Sequence, residues 1–305
     1  MALTKSVFKP YVLAAVVAAG GTVAVAAQPP TASAAADQVV YASVLDAQRI
    51  PVTTLRAADF VVREGSVERE VTAVSPASEP LRIAVLVDTS QSMERYMSDV
   101  RRALRAYVRQ VQADADIALF EFGERPTRLV DYTRDPSRLE AAIDRLFARS
   151  ASGAYALDAI VEVSRDFRLR EAARPVIIVI SGQGPEFSQR YYRTVLDELR
   201  ASRAILHSLV ITRRRLPIVN DGIREREQTF SEGSTLTGGT REDLLTSMAL
   251  EDALTRVARE LKSQYRVVYA RPAMLIPPAR LDITVRQSGL TVHAPRVPFT
   301  NRAQP

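Results

Sequence analysis

The chain has 305 residues, 47% of them hydrophobic and 25% charged, which suits a folded protein with a large core and excludes a disordered or fibrous one. It has no cysteine and only two histidines, His207 and His293, so disulfide frameworks, thiolate sites, cysteine nucleophiles and multi-histidine clusters are all excluded. The formal charge of +6 is modest and rests on arginine, the only lysines being Lys5, Lys9 and Lys262, so net charge gives no case for nucleic acid.

Lys5 and Lys9 precede an apolar Ala/Val-rich stretch over residues 11–27, followed by small residues up to Ala36. That order of basic, apolar and small-residue regions is the pattern of a secretory signal. An uncleaved membrane anchor is the alternative, and without cysteine a lipoprotein is excluded. The expected compartment is outside the cytoplasm: periplasmic, secreted or envelope-associated. Cleavage before Asp37 removes both lysines and lowers the charge from +6 to +4.

Residues 38–74 read as short β segments, with a turn at Glu64-Gly65-Ser66. After Pro80 the pattern changes to apolar strand and amphipathic helix in alternation. Residues 83–87, 117–122, 176–180 and 205–211 are apolar runs of the kind buried on both faces of a parallel sheet. Residues 129–132 read as a hairpin partner of the second run. Apolar residues at helical spacing mark helices from Met93 to Val111, after Asp135-Pro136, around Leu157 and Ile160, and from Tyr191. A further helix is expected over residues 241–262. The tail returns to β at residues 265–269, 281–285 and 290–293, where it can pair with the N-terminal strands. The expectation is a doubly wound α/β domain over residues 80–270. A β flank covers 37–79, a β hairpin and tail cover 271–305, and the signal or anchor covers 1–36.

Ligands of open α/β sheets gather at the carboxyl ends of the strands. The first apolar run ends in Asp88-Thr89-Ser90-Gln91-Ser92-Met93, which sets a carboxylate and two hydroxyls on one turn. Such oxygens suit Mg²⁺, with Asp88 acting through its charge and a bound water and Ser90 and Ser92 binding directly. The plainer alternative is that Ser90 and Ser92 cap the next helix and Asp88 accepts turn N–H groups.

These residues resemble the first loop of the metal-ion-dependent adhesion site of von Willebrand factor type A domains. Thr237-Gly238-Gly239-Thr240 resembles the family's step before its last helix, and Asp59-Phe60-Val61-Val62-Arg63-Glu64-Gly65 is similar to a segment preceding the domain in secreted bacterial relatives. The resemblance implies a flavodoxin-like sheet and a part in protein adhesion or assembly, usually through Mg²⁺ and a partner's acidic residue. Two site loops depart from the family pattern. Ala154 stands where the second loop usually has threonine, and Gly182 in Ser181-Gly182-Gln183-Gly184 where the third has aspartate. One carboxylate against a divalent cation implies weak Mg²⁺ binding at most, with Ser150, Ser152 or Glu186 as substitute oxygen donors.

The expected function is therefore a non-enzymatic interaction module. It meets a protein partner at the Asp88, Ser90 and Ser92 edge, with Gln91, Ser152 and Gly182 alongside. Nucleotide, metalloprotease and serine-hydrolase motifs are missing from the sequence. Arg213, Arg214 and Arg215, with Arg224 and Arg226, form a basic segment after the strand ending at Ile211, expected to be exposed. It is a second candidate contact region, and the alternative reading is electrostatic binding of acidic envelope polymer or lipid there. A catalytic reading would use Asp88 with the Ser90 and Ser92 hydroxyls. His207 is expected in the core, His293 on the surface, and Tyr191 and Tyr192 in helix packing.

Overall fold

The computed structural model describes residues 35–212, 220–272 and 279–297. The N-terminal apolar segment and Arg213, Arg214 and Arg215 lie outside the described residues. The N-terminal part contains β1 (Ala35–Leu45), β2 (Phe60–Glu64), β3 (Val67–Arg69) and β4 (Val71–Pro76). The α/β part follows with β5 (Leu81–Val87), α1 (Met97–Val111), β6 (Ala115–Glu121), β7 (Thr127–Thr133), α2 (Pro136–Asp144), α3 (Ala156–Leu169), β8 (Arg174–Ser181) and α4 (Tyr192–Ser202). It continues with β9 (Ile205–Ile211), α5 (Asp221–Gln228), α6 (Ser234–Thr237), β10 (Arg241–Leu244) and α7 (Leu250–Lys262). The tail adds β11 (Tyr265–Pro272), β12 (Leu281–Val285) and β13 (Thr291–His293).

The central sheet has the order β10-β9-β8-β5-β6-β7. Only β7 is antiparallel, as the hairpin partner of β6. Helices cover both faces, which explains why the inner strands are continuous apolar runs. In β5, Ile83, Val85 and Val87 pack in the layer with α1, α2 and α7, while Ala84 and Leu86 pack in the layer with α3 and α4. Each fully buried Ile, Leu or Val contributes about 1.5–3 kcal/mol of transfer free energy. Helix α2 opens as the sequence predicts: the Asp135 carboxylate accepts the Ser137 N–H at 2.9 Å, with Pro136 in the first turn.

Two expectations change. The single helix over residues 241–262 divides into β10, parallel to β9, and α7, joined by a turn. Only Leu244 of β10 is fully buried, and Leu245 and Met248, read as part of a helix stripe, are exposed. The connection after β9 also carries helical structure, α5, a π turn at Thr229–Gly233 and α6, with Phe230 packed in the α3/α4 layer.

Outside the central sheet, β13-β1-β11-β4 and β12-β2-β3 form two antiparallel sheets. They share a core built from Val40, Val44, Phe60, Val62, Val267 and Ile283, among others. Phe60 meets Tyr265 edge to face at 5.2 Å. Glu64, buried, joins the sheets: it accepts from the Tyr269 hydroxyl at 3.0 Å and from Arg69 at 3.0 Å, with Arg271 at 3.5 Å. Among the described residues, no helix is long and apolar enough to cross a membrane.

Candidate functional site

Chain order makes β5 the point from which the sheet grows in both directions, with β6 and β7 on one side and β8, β9 and β10 on the other. This is a topological switch point, where loops diverge and leave a crevice at the carboxyl ends of the strands. The Asp88–Ser92 loop leaves β5 there. The second loop, between α2 and α3, is tied to it by the Arg149 N–H on the Thr89 carbonyl at 2.8 Å. The third loop, after β8, lies on its other side.

Asp88, Thr89 and Ser90 have no solvent exposure. One Asp88 carboxylate oxygen accepts the Ser90 N–H at 2.8 Å, and the other accepts the Ser181 hydroxyl at 3.0 Å and the Gly182 N–H at 3.1 Å. Three donors thus stabilise the carboxylate within the protein. The Ser90 and Ser92 hydroxyls bond to each other at 2.9 Å. Gly184 lies over them so closely that a Cβ there would sit 2.6 Å from the Ser92 hydroxyl oxygen. Thr89 accepts the Gly123 N–H at 3.2 Å, linking the loop to the residues that follow β6.

Mg²⁺ requires near-octahedral oxygen ligands and retains several waters. As arranged, these residues do not suit it. The carboxylate of the loop accepts hydrogen bonds on both oxygens, the two hydroxyls are paired, and Gly184 packs directly against them. Two of the three proposed substitute donors are occupied too, while Ser150 stands exposed. The Ser152 hydroxyl donates to the Arg149 carbonyl at 2.8 Å, and Glu186 accepts N–H groups from Ala156 and Ser188, each at 3.1 Å. Among the described residues, no group of three or more acidic or histidine side chains is placed to hold a metal ion.

The structure therefore brings Asp88, Ser90, Ser92 and Gly182 together, but buries all of them except Ser92, which is half-buried. Gln91 alone of the first-loop candidates is exposed, and Ser152 is half-buried. Direct partner contact through Asp88, Ser90 or Gly182 does not fit their burial: Asp88 and Ser90 lie beneath the third loop, and Gly182, at the start of that loop, packs inward against Ser92 and Met93. Arg226, expected in an exposed basic segment, is 1% exposed. Tyr191 stands exposed at the start of α4 instead of packing against the core. His207 is buried, with Nδ1 accepting the Thr240 N–H at 3.2 Å and Nε2 unpartnered, and burial pushes its pKa down. His293, expected on the surface, is half-buried and meets the Glu260 carboxylate, 33 residues away in sequence, at 2.8 Å.

Sequence reading missed the group behind the third loop. Arg226, on α5, donates to the Gly184 carbonyl at 2.9 Å and lies 4.0 Å from Glu186. Glu186, 5% exposed, serves as an N-terminal cap for α3 although it lies 30 residues away in sequence. Burial pushes its pKa up to about 7, against the lowering influence of the Ser188 hydrogen bonds and Arg226. No local pattern marks this pair, because it is formed across three elements.

Residues 83–185 match the family model of the von Willebrand factor type A domain, a span that includes the first site loop and the start of the third. Among solved structures, a von Willebrand factor type A protein from Catenulispora acidiphila is similar at 14% identity and TM-score 0.51, over 81% of this chain and 74% of that one. The pilus adhesin SpaC from Lactobacillus rhamnosus GG, in an open conformation, is similar at 12% identity and TM-score 0.50, over 81% of this chain but only half of its own length. At these identities the likeness is one of fold. No curated protein matches the chain. The switch-point loop and the sheet order are those expected of the von Willebrand factor type A domain, whose family model residues 83–185 match.

Proposed function

We propose that the chain is an exported, non-enzymatic interaction module of adhesion or assembly type, docking a protein partner at the carboxyl rim of its α/β sheet without a Mg²⁺ bridge. One observation carries this reading. Of the eight large apolar side chains exposed among the described residues, Phe147, Phe187, Tyr191, Leu245 and Met248 all stand on connections at that rim. Exposed apolar patches mark interaction surfaces, and this rim carries five of the eight such side chains among the described residues. Gln91 is exposed on the first loop of the same rim, while Asp88, Ser90 and Gly182 support the loops from beneath.

The domain type supports protein binding, and the signal-like N-terminal segment supports export. His207 lies within β9 against Thr240 and His293 on β13 against Glu260, so neither histidine is placed beside the Ser90 and Ser92 hydroxyls as a catalytic reading of them would need. The burial of Arg226 removes one of the arginines on which an electrostatic reading of that segment relied.

Partner capture on the immobilised chain tests the proposal in buffers with Mg²⁺ or EDTA. The variants are the wild type, the Leu245→Asp/Met248→Asp pair, and Leu169→Asp at the opposite end of the sheet. Capture is expected to be lost only with the rim pair and to be equal in both buffers. Equal capture by all three chains would remove the rim from the account, and loss in EDTA would restore a metal bridge.

A further inference from the structure

The third loop lies between the first loop and α5. On one side, Gly184 presses on Ser90 and Ser92, and Gly182 packs against Met93. On the other, Gly222 of α5 approaches so closely that a Cβ there would sit 2.6 Å from the Glu186 carbonyl oxygen, and Arg226 holds the Gly184 carbonyl. We propose that α5 is a latch, with Arg226 as its holding contact, and that its release lifts residues 182–184 and exposes the Ser90 and Ser92 hydroxyls at the rim. This regulation rests on the reading of the rim as the partner-binding face.

Helix α5 spans eight residues and buries only Arg226 fully; apart from that residue it is held by polar contacts, Glu225 accepting the Tyr192 N–H at 2.7 Å and Glu227 meeting Arg241 at 2.6 Å. By contrast, α7 buries seven residues over 13 positions. Few buried apolar contacts place an element at the low-stability end of the structure, where local opening costs least. Arg226 itself is under-satisfied: its Nε is buried without a partner, its contact with Glu186 is a long 4.0 Å, and Glu227 stands 3.6 Å away. Releasing such a guanidinium to water recovers hydration that the closed state forgoes. The base of the loop is held independently. Ala154 donates to the Pro185 carbonyl and accepts from the Phe187 N–H, at 2.9 and 2.8 Å, so residues 185–187 stay in place while 182–184 lift, a movement that also gives up the Gly182 N–H bond to Asp88.

The chain's lack of cysteine allows a direct test, because Ser90→Cys introduces a single thiol at a fully buried position. Its reaction with a maleimide is followed in the otherwise unaltered chain, with Arg226→Met, and with Arg224→Met, whose side chain is half exposed on the same helix. Labelling is expected to be slow in the parent and with Arg224→Met. It should be faster by roughly tenfold or more with Arg226→Met, from loss of one charge-assisted hydrogen bond. The acceleration should depend little on dilute urea, as local opening exposes little surface. Fast labelling of the parent would overturn the closed state, and so would equal rates in all three chains. An Arg226→Met rate that follows the urea dependence of global unfolding would overturn the latch. Thiol kinetics require no partner, so they can fail or succeed independently of partner capture at the rim.

Discussion

Glu64 in the β flank and Glu186 at the rim are both buried carboxylates near arginine, yet their surroundings differ in kind. Glu64 has donors on both oxygens, from Tyr269 and Arg271 on one and Arg69 on the other, and these join two sheets around one core. Glu186 accepts backbone N–H groups from Ala156 and Ser188 and a hydrogen bond from the Ser188 side chain, but its arginine stands 4.0 Å away and retains an unpartnered Nε. The first arrangement fixes a fold. The second leaves a buried charge poorly compensated beside the candidate site, where a low cost of rearrangement serves binding.

The largest effect expected from this contrast is on stability. Glu64→Ala leaves Arg271 and Tyr269 without their shared acceptor, and breaking such a buried network costs roughly 3–5 kcal/mol. Arg226→Met removes one hydrogen bond together with an unsatisfied group, and should cost no more than about 2 kcal/mol. Urea unfolding of the two variants measures both. An Arg226→Met loss equal to that of Glu64→Ala would mean that the rim pair is as structural as the flank network.

A smaller and pH-dependent effect belongs to Glu186. Its folded pKa, pushed by burial to about 7, lies above the ordinary carboxylate value of 4.5. Between those two values the native state holds more protons than the unfolded one, so this group's contribution to stability falls as pH rises and levels off above about pH 7. The full change is on the order of 3 kcal/mol. Glu186→Gln keeps an acceptor for Ala156 and Ser188 but cannot titrate. Wild type should therefore lose stability relative to this variant between about pH 5 and 7. Taking the difference removes the opposing contributions of His207, pushed down by burial, and of Glu260, held low by His293 despite its burial. Parallel pH profiles for the two chains would show that Glu186 titrates as an ordinary carboxylate.

The same contrast explains what was legible in the sequence. The first loop could be read because an apolar run covered on both faces ends at Asp88, and because the hydroxyls follow at fixed spacing. The segment from Asp59 to Gly65 was recognisable as a pattern, and the structure gives its glutamate a reason, since Glu64 joins the two flank sheets. Strand β10 was not legible, as four residues with one buried leucine carry no periodicity. Helix α5 escaped notice because its one fully buried residue is an arginine among alternating charges, which reads as a solvated segment. Closure of the site was equally hidden. Gly182 indicated a missing ligand, but nothing indicated that Gly184 would pack the loop's own backbone against Ser90 and Ser92.

The smallest predicted effect is the most informative about that filled space. If Asp88 is a clasp for the third loop and not a cation ligand, Asp88→Ala strands three donors, from Ser90, Ser181 and Gly182, and destabilises the chain by about 2–3 kcal/mol. That loss should be the same in EDTA and in Mg²⁺. Wild-type stability should also change by less than about 0.4 kcal/mol when roughly 10 mM Mg²⁺ replaces EDTA, the linkage expected for a dissociation constant no tighter than the ion concentration itself. A larger gain that disappears with Asp88→Ala would show that the loops open to admit a cation. In that case the closed arrangement would be only one of two accessible states, and the rim's partner would be expected to bring a carboxylate with it.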